Sequence, residues 1–140
     1  MTLLSEYEIQ CQIREWLSLQ HPKVLMRCDL GGIRLPIGLA RKVKRLNPYR
    51  AWPDIFIAEP RTLTAANRVH KGQYQGLFIE LKRCYSDLYT KNGEYRKTQH
   101  IQEQKEMLTL LLIKGYKAVF SCGFEDTRKA IDSYLKGEDF

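Results

Sequence analysis

The N-terminal stretch has the hydrophobic pattern and the start signal of an amphipathic helix. Ser5 and Glu8 have the spacing of a capping box, in which two side chains satisfy free backbone donors at a helix start. Apolar residues then recur at helical spacing and predict one buried stripe. They are Ile9, Ile13, Trp16 and Leu17. At about 100° per residue, Glu6 projects within that stripe and Glu8 roughly opposite it, so a carboxylate points inward at the helix start.

Short apolar runs in the first half of the chain predict two strands. The first is Val24-Leu25-Met26, after the helix ends at His21-Pro22. The second is Ile55-Phe56-Ile57, which follows directly on Pro53-Asp54. Between them, Gly31-Gly32 indicates a turn, and residues 36–46 form either a basic helix or an ordered loop.

Residues 76–82 make the clearest strand of the sequence. Leu77, Ile79 and Leu81 share one face, and Phe78, Glu80 and Lys82 share the other, because successive strand side chains alternate. The polar segment 59–74 before this strand is predicted to be a loop or a hairpin excursion. The segment 84–97 after it, rich in Tyr, Lys, Asn and Gly, is predicted to be a mobile surface loop.

The last third of the chain predicts a helix, a strand and a second helix. The first helix spans about residues 98–114, ends at Gly115, and carries Gln104 on its core face one turn before the leucines. Those leucines are Leu108, Leu111 and Leu112. Ala118-Val119-Phe120 is the strand. The final helix runs from about 125 to 135, is closed by Gly137, and turns Ile131, Tyr134 and Leu135 inward.

This order of elements predicts an α/β sandwich around a small mixed sheet. The sequence contains no internal repeat and no linker long enough to divide it. A length of 140 residues is that of one ordinary domain, so a single domain over residues 1–140 is expected.

Composition narrows the class of protein. Hydrophobic residues make up 44% of the chain and charged residues 28%, and no apolar run approaches the roughly 18 to 20 residues of a bilayer-spanning helix, which excludes a membrane protein. The first residues lack the features of a secretory signal, so a cytoplasmic location is expected, in the host cell if a phage encodes the chain. The four cysteines form no C-x-x-C pair and are interpreted as reduced thiols.

The charge of the chain is strongly and unevenly basic. Against 16 acidic residues stand 23 Lys and Arg, a formal net charge of +7. Between Arg27 and Arg50 there are seven basic residues and one acid, Asp29. Such clustering indicates a polyanionic partner, most simply nucleic acid, or else a solvated basic face.

Three charged residues lie at strand ends: Asp54 opens the second strand, and Glu80 and Lys82 share a face of the third. Glu80 and Lys82 lie roughly 6 to 7 Å apart with parallel side chains. Carboxylates on neighbouring strands can hold a hard divalent cation such as Mg²⁺, and a fixed lysine can stabilise phosphorane charge. Each feature alone is common on protein surfaces, but two charges on one face of an apolar strand require compensation. Together they indicate phosphodiester hydrolysis.

These residues occur in motifs that closely resemble the VRR-NUC family, a branch of the PD-(D/E)XK nuclease superfamily. The matching motifs are Ser5-Glu6-x-x-Ile9-Gln10, Trp52-Pro53-Asp54-Ile55, Phe78-Ile79-Glu80-Leu81-Lys82, and His100-Ile101-x-x-Gln104 followed by Gly115-Tyr116. The resemblance covers nearly the whole chain. It implies an α/β restriction-endonuclease-like core, a small mixed β-sheet flanked by α-helices. It also implies a stand-alone, bacteriophage- or prophage-encoded homodimeric DNA nuclease that prefers branched DNA.

The resemblance assigns roles to individual residues. Asp54, Glu80 and the main-chain carbonyl of Leu81 would bind Mg²⁺ or Mn²⁺, and Lys82 would be the catalytic lysine. Glu6 would complete the acidic site directly or through water, and Gln104 would help to position it. One departure concerns the residue before Pro-Asp: many family members have glycine there, whereas this chain has Ala51-Trp52.

The leading hypothesis is therefore a metal-dependent DNA endonuclease selective for branched structures such as four-way junctions or flaps. Basic residues at five positions would contact backbone phosphates. They are Arg41, Lys42, Lys44, Arg45 and Arg50. Tyr85, Tyr89 and Tyr95 either stack on unpaired bases or belong to a flexible loop. The alternatives are a non-catalytic DNA-binding or assembly module with the same fold, and RNA as the substrate.

Overall fold

The computed structural model of the chain describes residues 2–30, 33–62, 73–138 and 140. Its helices are α1 (Glu6–Gln20), α2 (Ile37–Leu46), α3 (Tyr85–Leu88), α4 (Gln99–Ile113) and α5 (Gly123–Lys136). Its strands are β1 (Met26–Cys28), β2 (Ile55–Ile57), β3 (Arg61–Thr62), β4 (Gln73–Tyr74), β5 (Leu77–Lys82) and β6 (Lys117–Cys122).

The main sheet has four strands in the order β1-β2-β5-β6. β2 pairs antiparallel with both β1 and β5, whereas β5 pairs parallel with β6, so the sheet is mixed as predicted. β3 and β4 form a separate antiparallel pair. The predicted excursion between β2 and β5 thus starts and ends as paired strands, and its central residues, 63–72, lie outside the described ranges.

The N-terminal capping box forms as predicted. The side chain of Ser5 accepts a hydrogen bond from the Glu8 amide at 3.1 Å, and the Glu8 carboxylate accepts one from the Ser5 amide at 2.9 Å. Ile9, Ile13 and Leu17 are buried along the predicted stripe, and Trp16 packs partly buried against the same core. The start of α1, and with it the position of Glu6, is therefore fixed by local hydrogen bonds.

The sheet separates two apolar layers. On one face, Leu77, Ile79 and Leu81 of β5 pack with α1 and α5 in the larger core. On the other face, Phe78 packs with Leu108 and Leu111 of α4, next to Phe56 and Tyr116. The alternation predicted for β5 is confirmed, and its Glu80 and Lys82 lie on the α4 face with Phe78.

The C-terminal half follows the predicted boundaries closely. Thr98 caps α4 by accepting a hydrogen bond from the Ile101 amide, and Gly115, with φ 97°, follows the end of this helix. Gly137 caps α5 in the left-handed conformation. Since α4 links the parallel strands β5 and β6 as a crossover helix, it covers the face of the sheet that carries Glu80.

Three sequence predictions require correction. β1 begins at Met26, two residues later than predicted, because its register with β2 pairs residues 26–28. Leu25, predicted to lie in this strand, precedes it and is exposed. Leu112 was predicted in the core but is 44% exposed, since α4 turns Ile101, Gln104, Leu108 and Leu111 inward instead.

The third correction concerns the segment predicted to be a mobile surface loop. It contains the short helix α3 and a bridge between Tyr89 and Tyr95. The tyrosine rings pack on one another, with centroids 4.5 Å apart for Tyr85 and Tyr89 and 5.0 Å apart for Tyr89 and Tyr95.

The segment between β1 and β2 was predicted to contain a turn and then either a helix or a loop. The predicted Gly31-Gly32 turn lies outside the described residues. Of the two alternatives for residues 36–46, the helix is confirmed: α2 spans Ile37–Leu46, with Pro36 as its N-cap. All four cysteines are free thiols, as predicted.

In the described part of the chain, none of the helices combines the length and the apolar content needed to cross a bilayer.

Candidate active site

Strand pairing brings Asp54 and Glu80 together at one end of the sheet. Ile55 of β2 lies opposite Ile79 of β5 in an antiparallel register, so the next pair of residues is Asp54 and Glu80. Lys82 lies two residues further along β5, on the same face as Glu80. Both β5 side chains are buried, Glu80 being 5% and Lys82 7% exposed. The predicted carboxylate pair and its lysine therefore meet in one place.

The main chain holds Asp54 in position. Its Oδ2 atom accepts a hydrogen bond of 2.8 Å from the Leu81 amide, and its carbonyl oxygen accepts one of 2.8 Å from the Asp29 amide. The side chain of Leu81 itself lies in the core. These contacts fix one carboxylate oxygen of Asp54, and the carboxylate also lies within hydrogen-bond reach of Glu80. The role that the resemblance assigns to the Leu81 carbonyl stays a prediction.

Gln104 links the lysine to the glutamate. Its Oε1 atom accepts a hydrogen bond of 2.7 Å from Lys82 Nζ, and its Nε2 atom donates one of 2.8 Å to Glu80 Oε1. The amide is 3% exposed, as expected for its predicted place on the inner face of α4. One side chain thereby fixes the separation between a cationic and an anionic group.

The carboxylate pair is electrostatically strained without a cation. Burial, and then the negative charge of Asp54, raise the pKa of Glu80 from 4.5 to about 10. Burial also raises the pKa of Asp54. Two adjacent carboxylates offer four acceptor oxygens and no donor, so only a proton or a cation can lie between them. The pair therefore holds a proton to a higher pH than an isolated carboxyl group does.

Glu6 joins the acidic group from α1. Its side chain is half-buried at the first turn of the helix, as the helical geometry predicted. Burial is the largest cause of its raised pKa, and the charge of Asp54 is the next largest. Lys82 acts in the opposite direction. Glu6 therefore shares the electrostatic environment of Asp54 and Glu80, whereas Glu8 is occupied at the helix cap.

These residues line a cavity of about 270 Å³. Its wall comprises Glu6, Asp29, Tyr49, Ala51, Trp52, Asp54, Glu80, Lys82, His100 and Gln104. Sequence reasoning assigned no role to Tyr49, Trp52 or His100. For His100 a signal was present, because it precedes Gln104 by four residues and so shares its helix face. Its Nε2 atom lies 3.0 Å from Gln104 Nε2.

The loop before Asp54 contains a non-glycine residue in the left-handed backbone conformation. Ala51 has φ 59°, in the left-handed region that an L-residue enters at a cost of roughly 1–2 kcal/mol. This is the loop in which the resemblance leads one to expect glycine. The chain thus keeps a glycine-like bend while placing Trp52 at the cavity wall.

The donor set fits a divalent cation. Among the described residues, no N–H or O–H group donates to the buried Glu80 Oε2 atom. The Asp54 carboxylate lies within hydrogen-bond reach of the Glu80 carboxylate, so a shared proton or a cation is needed between them. Mg²⁺ characteristically takes one or two protein carboxylates and completes its shell with water and phosphate oxygens. Within the ranges that the structure describes, no three His, Cys, Asp or Glu side chains form a complete metal-binding group.

The basic residues predicted to bind DNA lie outside this cavity. Four of them are on α2, a helix with no buried residue, and Arg50 is exposed in the loop that leads to Ala51. The four on the helix are Arg41, Lys42, Lys44 and Arg45, all exposed. The structure thus separates a basic surface from the acidic cavity, with Tyr49 and Trp52 in the loop between them.

A mixed sheet with paired carboxylates and a lysine at one end defines a restriction-endonuclease-like α/β domain. Over 100% of its length the chain is similar to a solved structure described as a VRR_NUC domain protein, with 95% of that chain covered, 25% sequence identity and a TM-score of 0.61. No model of a protein family matches the chain, and no curated protein sequence matches it. The likeness confirms the predicted fold class and supports the VRR-NUC domain that the motifs predict.

Proposed function

We propose that the protein is a divalent-metal-dependent nuclease that hydrolyses DNA phosphodiester bonds. The observation that carries this proposal is the convergence of Asp54, Glu80 and Lys82 in one cavity, where no donor group among the described residues serves the buried Glu80 Oε2 atom. The solved VRR_NUC domain structure supports the same class of activity. Mg²⁺ or Mn²⁺ is the cation that this oxygen-rich donor set favours.

Asp54 and Glu80 would hold the cation, with Glu6 beside them directly or through water and the Leu81 carbonyl as a further ligand. When bound, the cation would polarise the phosphate and lower the pKa of an attacking water. Asp54 is already oriented for this task by the Leu81 amide. Glu80 is oriented through the hydrogen bond that Gln104 Nε2 donates to its Oε1 atom.

Lys82 would stabilise the negative charge that develops on the phosphate during attack. Its ammonium group is buried, where an electrostatic interaction is stronger than in water. Gln104 holds Lys82 Nζ by a 2.7 Å hydrogen bond and so keeps it at the edge of the cavity. Gln104 acts through its neighbours and is a positioning residue.

The basic surface of α2 and Arg50 would bind the DNA backbone. Contacts of this kind set affinity and orientation without reading sequence, and they weaken as salt rises. The resemblance favours branched or otherwise structured DNA, a homodimer and a phage-encoded type of protein. DNA and RNA carry the same phosphates, so charge does not distinguish them.

Cleavage of a substrate panel tests the reaction. Labelled four-way junction, flap, linear duplex and matching RNA are incubated with Mg²⁺ or Mn²⁺, with and without chelator. We expect metal-dependent products that Asp54→Asn, Glu80→Gln and Lys82→Ala each abolish while DNA binding is kept. Glu94→Gln, a surface carboxylate, is the control. If all three variants still cut, the assignment of the site is wrong.

The second candidate is a DNA-binding or assembly module that has this fold without catalysis. It is favoured by the lack, in the described ranges, of a complete group of three metal-binding side chains. Binding to branched DNA that is insensitive to chelator, with no product in either metal, would establish this alternative. Asp54, Glu80 and Lys82 would then be expected to tolerate substitution.

A further inference from the structure

A second cavity of about 450 Å³ adjoins the acidic one. Trp52 and Asp29 line both cavities, so Trp52 forms part of the wall between them. The volume lies within the roughly 300 to 1,000 Å³ of small-ligand pockets. None of the residues that carry the proposed hydrolysis lines it.

The floor of this cavity is formed by aromatic side chains that neighbouring strands of the main sheet place side by side. Arg27 of β1 lies opposite Phe56 of β2, which lies opposite Phe78 of β5, so the three side chains share one face. The two phenylalanine rings stack with centroids 4.5 Å apart. Tyr116 meets Phe78 edge-on at 5.1 Å, and Trp52 does so at 5.5 Å.

The cavity lining carries two basic side chains and one acidic side chain, Asp29, which lies on the side shared with the acidic cavity. The basic residues are Arg27 and Lys114, and both are exposed. An aromatic floor beneath two cationic groups is complementary to a flat ring attached to an anionic backbone. This is the chemistry of a nucleotide from an unpaired strand, whose base can stack while its phosphates contact the cations.

The second cavity lies about one nucleotide from the acidic pair. Phe78 and Glu80 are two residues apart on β5 and point to the same face, which separates them by roughly 6 to 7 Å. A strand whose phosphate lies at Glu80 can therefore place a neighbouring base against the partly exposed rings of Phe56 and Trp52. Phe78, which is only 5% exposed, supports both rings from the core. A base that stays stacked within a duplex cannot reach this floor.

We propose that this cavity binds an unpaired nucleobase next to the scissile phosphate, with Phe56 and Trp52 as specificity-determining residues. The inference rests on the proposed nuclease function and deepens it. It accounts for a preference for structured DNA by one local contact, because junctions, flaps and frayed ends supply unpaired bases and continuous duplexes do not.

Binding of two matched probes in chelator tests the cavity without cleavage. One probe is a labelled duplex with a single-stranded tail of five thymidines, and the other carries five abasic residues in the same tail, so the phosphates are equal in number. The unmodified protein is expected to bind the thymidine tail at least about fivefold more tightly, because stacking is worth roughly 1–3 kcal/mol per base.

Trp52→Ala and Phe56→Leu should reduce this ratio to about one. Phe56→Leu keeps an apolar side chain under the cavity and guards against loss of folding, which circular dichroism would check. Tyr85→Ala is the matched control: Tyr85 is an exposed aromatic residue that does not line either cavity. It should leave the ratio unchanged.

Equal affinity of the unmodified protein for both probes would overturn the proposal, as would a ratio that only Tyr85→Ala removes. Conversion of a dimer to a monomer by Trp52→Ala, with the ratio intact, would also overturn it and assign the cavity to a second copy of the chain. A base-dependent ratio in a protein that never cuts DNA would support the cavity while refuting the nuclease.

Discussion

The buried carboxylate of Glu80 should make the stability of the metal-free protein depend on pH. Its pKa is raised from 4.5 to about 10 by burial and by the charge of Asp54. The unfolded chain therefore releases this proton near pH 4.5, whereas the folded chain keeps it to much higher pH. The contribution to stability is complete below pH 4.5 and is lost as the pH rises towards 10. The raised pKa values of Asp54 and Glu6 act in the same direction.

The size of this effect follows from proton linkage. One proton bound only by the folded state lowers the free energy of unfolding by about 1.4 kcal/mol per pH unit. The whole shift would correspond to about 7 kcal/mol, an upper limit because water entry and side-chain relaxation reduce it. We expect a loss of about 2 kcal/mol between pH 5.5 and 8.5.

Glu80→Gln should remove most of this loss, leaving the smaller contributions of Asp54 and Glu6. Glutamine keeps the shape of the side chain and an oxygen that can accept the hydrogen bond from Gln104 Nε2. At pH 8.5 the variant should exceed the unmodified protein by about 2 kcal/mol in free energy of unfolding, or about 8 °C in Tm. Near pH 5 the two proteins should be nearly equal.

Urea unfolding in metal-free buffer at the two pH values measures the difference, with Glu94→Gln as the surface control. Added Mg²⁺ or Mn²⁺ should stabilise the unmodified protein by mass action and leave Glu80→Gln unaffected. The reasoning is refuted if Glu80→Gln at pH 8.5 unfolds at the same or a lower urea concentration than the unmodified protein. A stabilising effect of the metal that survives the substitution would refute the assigned ligand.

Three further predictions concern the lysine, the strained loop and the helix cap. Lys82→Ala should reduce cleavage by at least about 100-fold in single-turnover assays while the affinity for DNA stays within about twofold; loss of both would indicate a structural role. Ala51→Gly should raise the free energy of unfolding by about 1 kcal/mol, because Ala51 has φ 59°. Ala58→Gly, at a residue with an ordinary φ, should lower it and serves as the control. Ser5→Ala should cost about 1 kcal/mol by breaking the capping box, and an unchanged urea midpoint would contradict this.

Local patterns predicted much of the fold because their causes lie within a few residues. The start of α1 depends on two hydrogen bonds between residues three positions apart. The inward positions of Gln104 and Leu81 follow from helical and strand periodicity alone. The error at β1 has the opposite cause: the strand bounds depend on the register with β2, which pairs residues 26–28 with residues 55–57. Leu25 lies just before this strand and is 70% exposed although it is apolar.

The helix caps and the alternation of β5 could be predicted from the chain alone, since each is set by neighbouring residues. Which of the site's side chains meet depends instead on contacts between distant segments. Asp54 bonds to a residue 27 positions away, and Lys82 to one 22 positions away, through strand pairing and the α4 crossover. The same pairing aligned Arg27, Phe56 and Phe78 into a cavity floor, because register between strands depends on contacts that no local pattern encodes.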